Sequence, residues 1–171
     1  AHWRLAGQFE RRLTKKYYLT IVHGSPDLTS DCINQPLGVH PQFREKFAVR
    51  PDTGKEAVTF YEVLERFKGY SFVKVNIKTG RTHQIRIHAK HIGHAIVADE
   101  FYAGRKTARN DRKWCPRLFL HAASIKFIHP ATNKTVEFIS ELPADLKLVL
   151  QGPALQNLHS LPKLTLHKLH K

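Results

Sequence analysis

The chain has no methionine, only two cysteines and two tryptophans, and half as many acidic residues as basic ones. Each shortage excludes something. Cys32 and Cys115 stand far apart without CxxC spacing, which argues against a disulfide framework or a cysteine zinc site. No run of about 18 apolar residues occurs, so no transmembrane helix is expected. No signal peptide is expected, and Ala1-His2-Trp3-Arg4-Leu5 reads as the middle of a helix. That start, with no methionine anywhere, leads us to expect a fragment or a truncated gene product. Internal repeats are also absent.

The acid shortage is the most informative. Lys and Arg number 28 against 14 Asp and Glu, a formal charge of +14 with a pI near 10.0. A surplus of that size on 171 residues, enough for one domain with a core and marginal for two, points to a polyanion. Nucleic acid is the first candidate, an anionic membrane surface the second, and a merely solubilising surface the bland alternative. The membrane reading lacks an amphipathic basic helix of the required length. Among twelve histidines, His83, His88, His91 and His94 cluster, but no acidic ligand lies among them. They are expected to face RNA or serve structure rather than bind metal.

Periodicity supplies the elements. Trp3 to Arg12 carries Trp3, Leu5, Ala6 and Phe9 near helical spacing. Tyr17 to His23 is a run of β-formers ended by Gly24-Ser25-Pro26-Asp27. Residues 25–54, with four prolines, read as a long connection with short strands, whose Arg44, Lys46 and Arg50 either touch phosphate or are solvated loop charges. Glu56 to Phe67 and Ser71 to Lys78 alternate around Lys68-Gly69, a hairpin signal. Thr79 or Thr82 is expected to cap a helix from Gln84 to Ile92, with Ile85, His88, Ala89 and Ile92 as its stripe and Gly93 as its end. Ala95 to Asp99 is a short apolar piece, and Gly104 to Pro116 reads as a basic loop. Ser124 to His129 and Lys134 to Ser140 form a second hairpin, and Leu142 to Leu150 a short last helix. Hairpins with few helices predict an α+β fold with a mixed, largely antiparallel sheet.

Three blocks, in order, carry more than secondary structure: Lys16-Tyr17-Tyr18-Leu19-Thr20-Ile21-Val22-His23-Gly24; Thr79-Gly80-Arg81-Thr82-His83-Gln84-Ile85-Arg86-Ile87-His88, continuing into Gly93–Asp99; and Arg117-Leu118-Phe119-Leu120-His121-Ala122 with Phe127-Ile128-His129-Pro130. Together they resemble the RluA/RluD-type RNA pseudouridine synthases over roughly residues 1–150. The resemblance implies that a uridine is flipped out of RNA, its glycosidic bond broken, and the base rotated and rejoined through carbon 5. It implies an aspartate within His-Arg-Leu-Asp acting on the detached sugar, a tyrosine stacked on the base, and an arginine paired with the aspartate. It implies neither a metal nor an organic cofactor. RNA, ribosomal or transfer, is the implied partner, with no membrane, no obligate protein partner, a monomeric state and a cytoplasmic location.

Carried over position by position, the tyrosine falls on Tyr18, with Tyr17 expected on the opposite face as core, and the arginine on Arg86. Lys16, Arg81, Thr82, His83 and Gln84 are expected to touch RNA, although His83 and Gln84 could equally bond backbone. Asp99 and His121 read as structural. No His-Arg-Leu-Asp occurs in these 171 residues. The family's aspartate precedes the Tyr18 block, so its absence here is expected to reflect truncation, with any S4-like extension lost or never present. Ala95 and Ala98 stand where the family usually has Pro and Gly. Two expectations follow: Tyr18 and Arg86 share one basic cleft, and Arg86, without its carboxylate, turns to water or to another acid. Residues 1–150 would be the C-terminal portion of a catalytic domain, and 151–171 a basic, weakly ordered tail.

Overall fold

Alternating apolar residues make the strands, and their pairing order joins six of them into one sheet. A computed structural model describes residues 1–155; most of the expected tail lies outside the described residues. Along the chain run α1 (His2–Glu10), β1 (Lys15–His23), β2 (Ser30–Asn34), β3 (Leu37–Val39), β4 (Phe47–Val49), β5 (Val58–Phe67), β6 (Tyr70–Ile77), α2 (Gln84–His91), α3 (Arg105–Asp111), β7 (Leu120–Ile128), β8 (Thr135–Ile139) and α4 (Ala144–Gln151). The large sheet has the order β2-β5-β6-β1-β7-β8, every neighbour antiparallel, and β3-β4 forms a separate ribbon. The fold is α+β, as the hairpin pattern predicts.

Strand parity divides the core between the two sheet faces. Leu19, Ile21, Phe72 and Phe119 point one way and are covered by Leu146 and Val149 of α4. Val22, Val73, Val75 and Tyr61 point the other way, under Ile85 and Ala89 of α2. Burying each large aliphatic side chain contributes about 1.5–3 kcal/mol, so both helices are held by their apolar stripes. A smaller cluster of Leu37, Ala57, Ile87 and Tyr102 joins the β3-β4 ribbon to α2.

Several expectations are corrected. Gly104 to Pro116 is not a loop: α3 forms there, because Ala108 is buried and Asp111 is anchored by the backbone N–H of Ala98 (2.8 Å) and by His23 Nε2 (2.9 Å). α1 exists, but its apolar residues are not its buried face. Trp3 is 86% exposed, whereas Gln8 is buried and exchanges two hydrogen bonds of 2.8 Å with the Ile128 backbone. Neither Thr79 nor Thr82 caps α2; the N-cap is His83, in left-handed backbone at φ 54°. Gly93, at φ 83°, does follow the helix end as a C′ glycine. α4 runs to Gln151, and Leu155 packs in the core beyond it. Tyr17 is half-buried rather than core, with the Lys74 ammonium 5.0 Å from its ring centroid.

Candidate active site and RNA interface

The entrance to α2 is built around one amide. Gln84 is 2% exposed, and its side chain has four partners: it donates to the Val58 carbonyl and Thr59 hydroxyl, and accepts from the Thr79 hydroxyl and the Arg81 backbone N–H, all within 2.7–3.0 Å. A primary amide has two donor hydrogens and one acceptor oxygen with two lone pairs, so its capacity is filled. Of the two alternatives for Gln84, the structure places it on backbone and interior side chains, not at a surface that RNA could reach. This anchoring pins β5 to the segment before the helix and lets His83 hold its positive φ, a conformation that costs about 1–3 kcal/mol unless its surroundings enforce it.

One turn inside α2, Arg86 makes a bidentate pair with Asp99: Nε donates to Oδ2 at 2.8 Å and Nη2 to Oδ1 at 2.7 Å. The Asp99 side chain is fully buried and that of Arg86 is 17% exposed. Asp99 Oδ1 also accepts the backbone N–H groups of Phe101 and Tyr102, so the carboxylate is both ion-pair partner and turn anchor. The Asp99 contacts hold Arg86 above its already high basicity despite burial. Its guanidinium lies 5.0 Å from the Tyr102 ring centroid and 5.6 Å from that of Phe101. Nη1 has no hydrogen-bond partner among the described residues. Arg86 therefore pairs with Asp99, an acid that sequence reading assigns only to structure.

His83 completes this corner. Its Nδ1 shares a hydrogen bond of 2.9 Å with the Tyr102 hydroxyl, and that hydroxyl accepts the Phe47 N–H at 3.4 Å. Burial, then the Arg86 charge, lower the His83 pKa, which favours the neutral ring. His88 is fully buried between the Thr59 hydroxyl (2.8 Å) and the Gln35 carbonyl (2.9 Å), and burial lowers its pKa also. The carbonyl requires a proton on Nε2, leaving Nδ1 to accept from Thr59.

Tyr18 lies elsewhere on the same sheet face. It packs at the margin of the apolar layer beneath α2 and lines an open groove of about 350 Å³ with Phe9, Lys16, Ser124 and Phe138. Burial lowers the Lys16 pKa and raises that of Tyr18. Arg86 is not among the residues that line this groove. Tyr18 and Arg86 are not on opposite faces either: α2 covers the face to which Tyr18 points. Arg81 donates from Nε to the Glu56 carbonyl at 3.0 Å and is half-buried, while Thr82 is exposed. His121 contacts the Ser140 carbonyl, consistent with a structural role. Among the described residues, no group of three or more His, Cys, Asp or Glu is placed to hold a metal ion, and no helix is long and apolar enough to cross a membrane.

Comparison with known proteins decides what this arrangement belongs to. A family profile described as RNA pseudouridylate synthase matches residues 1–91. The chain belongs to the RluA/RluD-type RNA pseudouridine synthase family. An uncharacterized RNA pseudouridine synthase of Chloroflexus aurantiacus is 41% identical over 86% of this chain and 45% of its own length. Ribosomal large subunit pseudouridine synthase D of Pseudomonas aeruginosa is 40% identical over 88% of this chain and 49% of its own length. The solved structure of human RNA pseudouridylate synthase domain containing 1 superposes with a TM-score of 0.76 at 25% identity, covering 96% of this chain and 67% of that one. The chain thus spans about half the length of the curated relatives it matches.

Ala98 adopts φ 61°, a conformation that glycine takes without strain, and here the Asp111 carboxylate accepts its N–H and holds it in place. Asp99, Phe101 and Tyr102 were missed as site residues. The signal for Asp99 was available: an aspartate that accepts the N–H groups two and three residues ahead is an ordinary turn former. Nothing local told of its bond to Arg86, 13 residues earlier.

Proposed function

We propose that this chain supplies part of the RNA-binding and catalytic surface of an enzyme that isomerises uridine to pseudouridine in RNA. In this reading Tyr18 offers the face on which the extruded base stacks, an interaction of about 1–3 kcal/mol that offsets the cost of flipping. Arg86 presents the cation that orients the catalytic carboxylate. Lys16, Arg81, Thr82 and His83 engage the RNA, and residues 1–150 serve as the C-terminal portion of the catalytic domain. Gln84 acts by positioning the α2 entrance. The observation that carries the reading is the intact Thr79–His88 block, folded so that Arg86 is fixed by Asp99 while Nη1 and part of its surface stay open. A guanidinium clamped on one edge can still bind a second carboxylate or a phosphate on another. Ribosomal RNA is the favoured substrate, since relatives named for the large ribosomal subunit are among the most similar. No redox cofactor is called for, because the isomerisation is redox-neutral overall.

The proposed nucleophile, the aspartate of a His-Arg-Leu-Asp segment, does not occur in these 171 residues, so the chain alone isomerises no uridine. The test is to incubate the purified chain with a ribosomal RNA fragment, alone and fused to the His-Arg-Leu-Asp half of a relative, and to measure pseudouridine. Product from the fusion only, lost on Arg86→Ala with RNA affinity largely kept, is the expected result. Product from the chain alone overturns the assignment of the nucleophile. The Asp99 pair supports a second reading, a binding-only relative whose arginine is satisfied internally. A fusion that binds RNA in a salt-dependent manner yet stays inactive favours it.

A further inference from the structure

Beside the Arg86 corner, two phenyl rings flank one cation. Phe43 is 49% exposed and Phe101 42% exposed. The Lys46 ammonium lies 5.5 Å from the ring centroid of each. Lys46 has no acidic partner among the described residues, and Phe101 also contacts the Arg86 guanidinium and the His83 ring.

Both rings stand on fixed backbone. Phe43 and Lys46 sit in the loop between β3 and β4, which is closed by His40 N–H to the Lys46 carbonyl and Lys46 N–H to the Phe43 carbonyl, both 2.9 Å. The His40 ring accepts the N–H groups of Gln42 and Phe43 and packs 5.1 Å from the Phe43 ring. Phe101 is set by its N–H bond to Asp99 at 3.0 Å. Half-exposed aromatic rings on rigid turns, with an uncompensated cation between them, form a preorganised surface with low ordering cost on binding.

We infer that Phe43, Lys46 and Phe101 form a stacking platform for an unpaired RNA nucleotide, with its base on a phenyl ring and its phosphate on Lys46. The inference rests on the RNA reading above and deepens it: the substrate meets this face as single strand, since paired bases present no open π-face while a splayed base does. Charge favours RNA over a neutral apolar partner, because Lys46 and Arg86 both border the rings and the whole chain carries +14.

The test measures binding of the 171-residue chain to an unstructured uridine-containing oligonucleotide and to an RNA duplex of equal length. Phe101→Ala and Phe43→Ala should each weaken single-strand binding roughly five- to hundredfold, the range set by stacking energies. Phe101→Leu, which keeps apolar volume, should lose as much as Ala, and Phe101→Tyr should stay within about twofold of the original. Duplex affinity should be unchanged, and Lys46→Ala should reduce the salt slope by about one. Circular dichroism melting establishes that each variant is folded. Unchanged single-strand affinity in folded Phe101→Leu and Phe43→Ala overturns the platform and leaves the RNA reading standing. So does equal weakening of single strand and duplex. Failure of the unsubstituted chain to bind either RNA at low salt overturns the RNA reading itself.

Discussion

The Arg86 corner and the Tyr18 groove share one face of one sheet, yet they are built differently. In the corner the named polar groups close on one another: Gln84 on Thr79 and Arg81, Arg86 on Asp99, His83 on Tyr102. The groove is assembled from Phe9, Lys16, Ile125 and Phe138, more than a hundred residues apart at its extremes, and its apolar rim is open, with Phe138 and Ile139 exposed on edge strand β8. A buried ion pair is costly unless fully satisfied, so it must be closed by its own surroundings. An aromatic that is to receive a base has to stay uncovered. In the proposed reading, the difference separates a positioning device from a receiving surface.

The strongest way to break that comparison is Asp99→Ala. It leaves Arg86 without its carboxylate and two backbone N–H groups without an acceptor, and should cost about 3–5 kcal/mol in urea unfolding. A loss as small as that for Tyr18→Ala, expected near 1 kcal/mol for a half-buried surface ring, would mean that the corner is no more closed than the groove. Gln84→Ala should follow at about 2–3 kcal/mol, since it strips partners from interior donors and acceptors. If it costs under half a unit, the α2 entrance is held by something else.

Acid provides a graded probe of the same contrast. His88 and His83 have folded-state pKa values below the ordinary 6.5, chiefly through burial. The unfolded chain then binds more protons than the folded one below that value. Stability is full above pH 6.5 and falls as pH decreases toward the folded-state values, by at most about 1.4 kcal/mol per pH unit for each histidine. Denaturant midpoints between pH 7.5 and 5.5 should show that fall, and His88→Gln should flatten it; an unchanged slope would indicate that His88 is not held neutral. The smallest effect belongs to Trp3. At 86% exposure, Trp3→Ser should stay within about 0.5 kcal/mol, and a larger loss would show that α1 is held by its apolar residues rather than by Gln8.

Strand parity, the two hairpins, the α2 stripe and the Gly93 stop were legible because each depends on neighbours within a few residues. Tyr18 and Arg86 were legible as candidates through the motif blocks, whereas the side chains around them were not. The α3 helix was missed because its seven residues are polar and basic apart from Ala108; only the bonds from Asp111 to His23 and Ala98, reached through folding, make it worth forming.

The sequence by itself determined the sheet, its two faces, the basic balance and the family, since periodicity, charge and motif order are properties of the linear chain. Only the tertiary structure decided that Gln8 anchors α1, that Asp99 takes Arg86, and that Phe43 and Phe101 flank Lys46. Those are choices of partner among distant groups, settled by burial: a polar or charged group carried into the interior accepts whichever complementary group folding brings within reach, and sequence spacing does not record which one that is.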